Sequence, residues 1–161
     1  MGSGKSSLGK KLATQLGYRF YDLDKLIEAA EGKTISQIFE QDGEDYFRTV
    51  ESQVLNDALA SDDLFVMALG GGTPCFNSNM DVILDQSTAI YLKYNAGILA
   101  SRLKQGKDSR PLIAGKSDDE LLEYVKASLQ ERSVFYEKCQ LIAEDDNLNA
   151  AKVIALLEQA M

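Results

Sequence analysis

The sequence predicts an α/β domain of three layers, a central parallel sheet covered by helices on both faces. Three observations predict it. Short apolar runs alternate with segments of helical period along the chain. A glycine-rich stretch, Gly2-Ser3-Gly4, stands directly before the first amphipathic segment. The 161 residues suffice for one compact core, and no repeat, low-complexity tract or linker divides them. A single domain over residues 1–161 is therefore expected.

The elements follow in order. Leu8, Leu12 and Leu16 recur every four residues, so Gly4 to Leu16 is predicted helical, with Gly17 as its stop. Arg19 to Tyr21 reads as a short strand that delivers Asp22 and Asp24 to its end. Leu23, Leu26, Ile27 and Ala30 mark a second helix. Thr34 with Gln37 forms a capping box for a short helix carrying Ile35, Ile38 and Phe39. After Gly43 a longer helix places Phe47, Val50, Val54, Leu55 and Leu59 on one side. Leu64 to Leu69 is a continuous apolar run ending in Gly70-Gly71-Gly72, the pattern of a buried parallel strand and a tight loop. Ser78 to Leu84 is predicted helical, Ser87 to Leu92 a strand, and Ile98 to Lys104 helical. Ser117 with Glu120 is a second capping box, opening a long helix through Leu121, Leu122, Val125 and Leu129. Cys139 to Ala143 is the last strand, and Val153, Leu156 and Leu157 mark the last helix. Between these lies Gln105 to Lys116, polar and without apolar period, with Gly106, Pro111 and Gly115; it reads as a mobile surface segment.

Composition narrows the chemistry. A net charge of −8 argues against nucleic acid as a general partner. No apolar run approaches the ~20 residues that span a bilayer, so no membrane partner is expected. Cys75 and Cys139 lack metal spacing and fit reduced thiols in a cytoplasmic protein. The chain has no histidine. Ser-His-Asp and Cys-His catalysis are thereby excluded, as is any histidine-ligated metal. Chemistry carried by positioning and charge neutralisation remains, and phosphoryl transfer is of that kind.

Gly2-Ser3-Gly4-Lys5-Ser6-Ser7 matches the second half of the P-loop pattern G-x-x-x-x-G-K-[ST]. Glycines let backbone N–H groups approach phosphate oxygens, and the helix N-terminus adds unpaired donors and partial positive charge. Lys5 is expected to reach the β- and γ-phosphates of ATP, and the Ser6 hydroxyl to bind Mg²⁺. The bland alternative is a flexible linker-like start. The pattern's first glycine and the strand that precedes a P-loop would fall ahead of Met1. The expectation is that the natural polypeptide carries ~10 further apolar residues there, a strand and a turn, and that the sheet lacks its first, central strand here.

Five further segments complete a resemblance. With GSGKSS, the sequence carries DLD at Asp22 to Asp24, FRTVE at Phe47 to Glu51, LGGG at Leu69 to Gly72, SRPLIAG at Ser109 to Gly115 and ERSVFYE around Arg132. In this order and spacing the chain resembles the shikimate kinase family along nearly its whole length. The resemblance implies the three-layer P-loop kinase fold with a lid at about residues 105–116. It implies transfer of the γ-phosphoryl group of ATP, with Mg²⁺, to the 3-hydroxyl of shikimate by a cytoplasmic, monomeric enzyme. It also implies roles. Asp24 holds the acceptor hydroxyl and accepts its proton, and Asp22 sits near the metal through water. Arg48 and Arg132 bind the acceptor carboxylate, and Gly70, Gly71 and Gly72 let the backbone approach the acceptor. Lys5 and Arg110 act on the transferred phosphate, Arg110 from the lid, and Asn149 contacts adenine.

Alternatives stand beside each role. Arg48 and Glu51, three apart on a helix, also fit a surface ion pair of little worth. Asp22 also fits a helix N-cap. The three glycines fit a plain turn, Arg110 an ordinary loop residue, and Arg132 a charge near a helix C-terminus. The stretch Glu144 to Asn149 is acidic and has no arginine, which departs from the family pattern around adenine. A kinase of another small polyol acid such as gluconate, and a nucleotide-binding regulatory protein without catalysis, are the competing functions.

Overall fold

Leu8, Leu12 and Leu16 form the inner face of α1 (Lys5–Leu16), with Leu12 buried and the other two packed beside it. The structure of the chain is a computed structural model that describes residues 2–105, 113 and 115–160. Gly17 ends α1 in the left-handed conformation, at φ 71°, where a side chain would be strained. The chain then turns into β1 (Arg19–Asp22), which pairs in parallel with β2 (Phe65–Ala68), Arg19 opposite Phe65 and Asp22 opposite Ala68.

Three helices make the crossover between these strands: α2 (Leu23–Glu31), α3 (Ile35–Gln41) and α4 (Gly43–Leu59). Their apolar faces bury Leu23, Ile27, Ile38, Phe47, Val50 and Leu55 in one cluster, joined by Met80 and Ile83 from α5 (Asn79–Gln86). The second half repeats the pattern with β3 (Ile90–Lys93), α6 (Ala96–Lys104), α7 (Asp118–Tyr136), β4 (Leu141–Glu144) and α8 (Ala150–Ala160). β3 and β4 are parallel, Ile90 opposite Leu141. Leu99, Leu103, Ile113, Leu121 and Val125 pack between α6 and α7, and α8 lays Val153 against α1.

Both predicted capping boxes are present, Thr34 with Gln37 and Ser117 with Glu120. Boundaries differ where tertiary contacts decide. The sixth helix starts at Ala96 rather than Ile98, because the Asn95 side chain accepts from the Ile98 amide at 2.9 Å. The last strand is Leu141–Glu144 rather than Cys139 to Ala143. The predicted lid falls largely on residues 106–112 and 114, outside the described residues.

Among the described residues the four strands form two parallel pairs, β1 with β2 and β3 with β4. Between β2 and β3 lies a cavity of ≈ 680 Å³, bordered by Val66, Met67, Ile90 and Tyr91 and floored by Leu12 and Val153. This changes one expectation. Leu64 to Leu69 reads as a buried strand, yet Leu64 is 65% exposed and Phe65, Val66 and Met67 are half-buried, because they border that cavity. Among the described residues no helix is long and apolar enough to cross a membrane.

Candidate active site

The glycine-rich start packs as a cradle. Gly2 and Gly4 are both left-handed, at φ 68° and 74°, with Ser3 between them. Gly2 has a second reason to be glycine: a Cβ there would lie 3.0 Å from the Leu99 carbonyl oxygen and from Leu103 Cγ on α6. That packing argues against a loose linker. Gly4 precedes α1 without a side-chain cap, and no acidic residue stands in the first turn. The helix N-terminus therefore offers its donors and its dipole to an anion. Lys5, Ser6 and Ser7 form that first turn.

Asp22 joins this cradle to β1. Its Oδ2 accepts from the Ser6 hydroxyl at 2.7 Å, and its Oδ1 accepts from the Asp24 amide at 3.2 Å as the N-cap of α2. The N-cap reading of Asp22 is thus realised by one oxygen, and the other places it beside Ser6. Asp24 lies in the first turn of α2 rather than at the strand end. No group of three or more His, Cys, Asp or Glu side chains able to hold a metal occurs among the described residues. The paired Ser6 and Asp22 oxygens still fit Mg²⁺, which keeps most of its ligands as water and phosphate and takes one or two from protein.

The three glycines after β2 each meet a different group. A Cβ on Gly70 would lie 3.1 Å from the Thr73 hydroxyl and 3.5 Å from Asp24 Oδ1. The Gly71 carbonyl accepts a hydrogen bond from the Tyr136 hydroxyl on α7. A Cβ on Gly72 would lie 2.8 Å from Arg48 Nη2. Gly72 has φ −88°, and none of the three has positive φ. Space, not backbone conformation, is what they supply.

Arg48 is held on several sides. Nη1 donates to Glu51 at 2.9 Å, and Nε and Nη2 donate to Glu44 at 3.2 and 3.1 Å. Its guanidinium lies 4.0 Å from the Phe76 ring centre. The surface-pair alternative fails on burial, since the Glu51 side chain is 1% exposed and that of Arg48 15%. The other Glu51 oxygen accepts from the buried Thr73 hydroxyl at 2.7 Å. Arg132, on α7, stands near the same turn: the Cys75 thiol feels both Arg132 and Arg48.

The predicted residues that converge are Gly2 to Ser7, Asp22, Asp24, Arg48, Gly70 to Gly72 and Arg132. Arg110 lies outside the described residues. Asn149 takes another place: its Oδ1 accepts from the Lys152 amide at 3.0 Å, capping α8. Three contributors escape sequence reading. Arg102 donates to the Ser3 carbonyl in a long 3.4 Å contact and stacks on Tyr94, adding a cation beside the cradle. Glu51 holds Arg48, and Tyr136 holds Gly71. Glu51 stands inside FRTVE but reads from sequence only as a surface partner of Arg48, and Tyr136 stands inside ERSVFYE without a role.

The shikimate kinase family model matches residues 1–161. A shikimate kinase of Phocaeicola vulgatus is 39% identical over 154 residues, covering 96% of this chain and 87% of that protein. One from Flavobacterium psychrophilum is 40% identical over 141 residues, covering 87% and 82%. Among solved structures, shikimate kinase from Bacteroides thetaiotaomicron superposes with a TM-score of 0.89 at 34% identity, covering 99% of this chain and 93% of that one. Shikimate kinase from Acinetobacter baumannii, in complex with shikimate, gives 0.81 at 32% identity, covering 99% and 86%.

Asp24 is the electrostatically loaded group of the site. Burial, and then the neighbouring Asp22 charge, push its carboxyl above the usual aspartate range, while Lys5 opposes the shift. A carboxyl raised in the folded state favours folding fully only below its unfolded pKa of about 4. That contribution is lost as pH rises through the raised folded value, leaving a buried charge. Asp24→Asn is therefore expected to melt at a higher temperature than the parent at pH 7, with the gap closing toward pH 4. Thermal unfolding from pH 4 to 8 tests this, and a gap independent of pH would contradict it.

Proposed function

The chain belongs to the shikimate kinase family, and from that premise we propose that its glycine-walled cleft transfers the γ-phosphoryl group of ATP to the 3-hydroxyl of shikimate. One observation carries the assignment of residues. The Asp24 carboxylate lies near Gly70 and the Arg48 guanidinium against Gly72 of one loop, with the P-loop lysine acting electrostatically on Asp24. A hydroxyl placed at Asp24 then has its molecule's carboxylate within reach of arginine.

The residues divide the work. The left-handed Gly2 and Gly4, the open α1 N-terminus and Lys5 hold the phosphates. Ser6, with Asp22 through water, would hold Mg²⁺, whose charge neutralises the phosphate oxygens when it is bound. Arg48 and Arg132 take the acceptor carboxylate, Arg48 by a guanidinium plane already fixed by Glu44 and Glu51. Asp24 orients the acceptor hydroxyl and receives its proton as the new P–O bond forms and the bond to the β,γ-bridging oxygen breaks. Its raised affinity for a proton suits that task near neutral pH. Arg110 is assigned to the phosphates from a lid at about 105–116, and Asn149 remains a weaker candidate at adenine because its side chain already caps α8.

We also propose one domain over 1–161, which the family match along the whole chain supports, acting as a monomer. A cytoplasmic site suits ATP and the free thiols of Cys75 and Cys139. The family match over the whole chain favours shikimate over gluconate, and the convergence of Lys5, Asp24 and Arg48 favours a catalyst over a regulatory protein.

Turnover of ATP with shikimate, with gluconate and without acceptor is the direct test. Turnover is expected with shikimate alone, and equal rates in all three would refute the reading. Arg48→Lys keeps the charge but loses the plane. It is expected to raise the shikimate KM at least about tenfold, ~1.4 kcal/mol, with the ATP KM little changed. Gly72→Ala pushes the same guanidinium aside without backbone penalty. It should reproduce that selective rise in steady-state kinetics, and a parallel rise in both KM values would instead indicate general damage.

A further inference from the structure

The glycine loop is held by its own turn at two places and from outside at a third. The Gly70 carbonyl accepts from the Thr73 amide at 3.2 Å, and the Gly72 carbonyl from the Cys75 amide at 2.9 Å. The Gly71 carbonyl, between them, accepts from the Tyr136 hydroxyl, 65 residues away in sequence. Tyr136 is the last residue of α7 and lies one helical turn after Arg132, so the two share a face. Its ring packs on Tyr91 of β3, with centroids 5.1 Å apart and planes at 44°. The hydroxyl is thus aimed by a ring locked against the sheet.

This arrangement has a geometric effect. Arg48 rests on Gly72, and Arg132 rises from α7. The distance between the two arginines depends on where the loop sits relative to α7. Cys75, at the end of the turn after the glycine loop, lies near enough to both guanidinium groups to feel their charge. The Tyr136–Gly71 hydrogen bond ties the loop to α7 at the residue next to Gly72.

We infer that Tyr136 is a positioning residue for the acceptor: its hydroxyl pins the glycine loop to α7 and so sets the spacing of Arg48 and Arg132 across the carboxylate site. The inference rests on the proposed function, since it needs those arginines to receive the acceptor. A purely structural role for Tyr136 would act on stability and on both substrates alike. A positioning role acts on one substrate only.

Tyr136→Phe separates these, because it keeps the ring and its contact with Tyr91 and removes only the hydroxyl, which donates to the Gly71 carbonyl and faces Arg132. The shikimate KM is expected to rise about five- to tenfold, the range of one net hydrogen bond, with the ATP KM within about twofold of the parent. The second measurement is a double-mutant cycle with Arg132→Lys on shikimate binding by calorimetry. The combined variant should lose less affinity than the product of the single losses, because both act on one spacing. An unchanged shikimate KM in Tyr136→Phe, a parallel rise in the ATP KM, or independent losses in the cycle would each overturn the inference. A parent enzyme that does not phosphorylate shikimate would overturn the proposed function itself, a distinct result seen before any variant is made.

Discussion

The buried carboxylate of Glu51 is the fixed point of the site. A charge so nearly without solvent must be paired and hydrogen-bonded on both oxygens, or it costs several kcal/mol. Arg48 meets one oxygen and the Thr73 hydroxyl the other. This ties α4 to the turn that follows the glycine loop. The Asn79 side chain then donates to the Thr73 carbonyl, and Asn77 donates to the Arg48 carbonyl and to Ser52. Removing one partner of such a buried pair typically costs about 3–5 kcal/mol, against about 0–1 for an exposed pair. The same spacing of three along a helix would carry little weight on the surface. Here it fixes the guanidinium plane before any ligand arrives.

Two carboxylates near the P-loop are used differently for a related reason. Asp22 has both oxygens on donors, the Ser6 hydroxyl and the Asp24 amide. Asp24 is half-buried beside Asp22 and Glu51, with Lys5 as its opposing charge. One is therefore suited to holding a cation through its shell and the other to taking a proton. Their order along the chain, one residue apart, puts one at the N-cap and the other in the first turn of α2, so helix geometry alone separates their surroundings.

Local signals were readable in the sequence, and interactions between distant segments were not. The capping boxes at Thr34 and Ser117, the stop at Gly17 and the order of helices and strands each rest on a few adjacent residues. The P-loop cradle was readable because glycine, lysine and serine sit together. The exposure of β2 was not, because it depends on the cavity between β2 and β3. Arg102 carries no sequence mark, being one cation in an ordinary helix, and it matters only because α6 brings it to Ser3. Asn149 shows the converse: a side chain free to contact a nucleotide by sequence is engaged by Lys152 three residues on.

The glycines at 70, 71 and 72 show how far chemistry can be read from what is absent. Their backbone dihedrals would accept other residues, so no turn type explains all three. The space left at Gly70 and at Gly72 is taken or approached by a functional atom: Asp24 and the Thr73 hydroxyl near Gly70, Arg48 against Gly72. The loop is thus a flat wall on which a carboxylate and a guanidinium meet. A Cβ on Gly72 would push the Arg48 guanidinium aside, and one on Gly70 would crowd the Thr73 hydroxyl. Such a wall has little packing of its own, and its position comes from outside through Glu51, Thr73 and Tyr136. The surrounding polar network is therefore part of the binding site even where it touches no ligand.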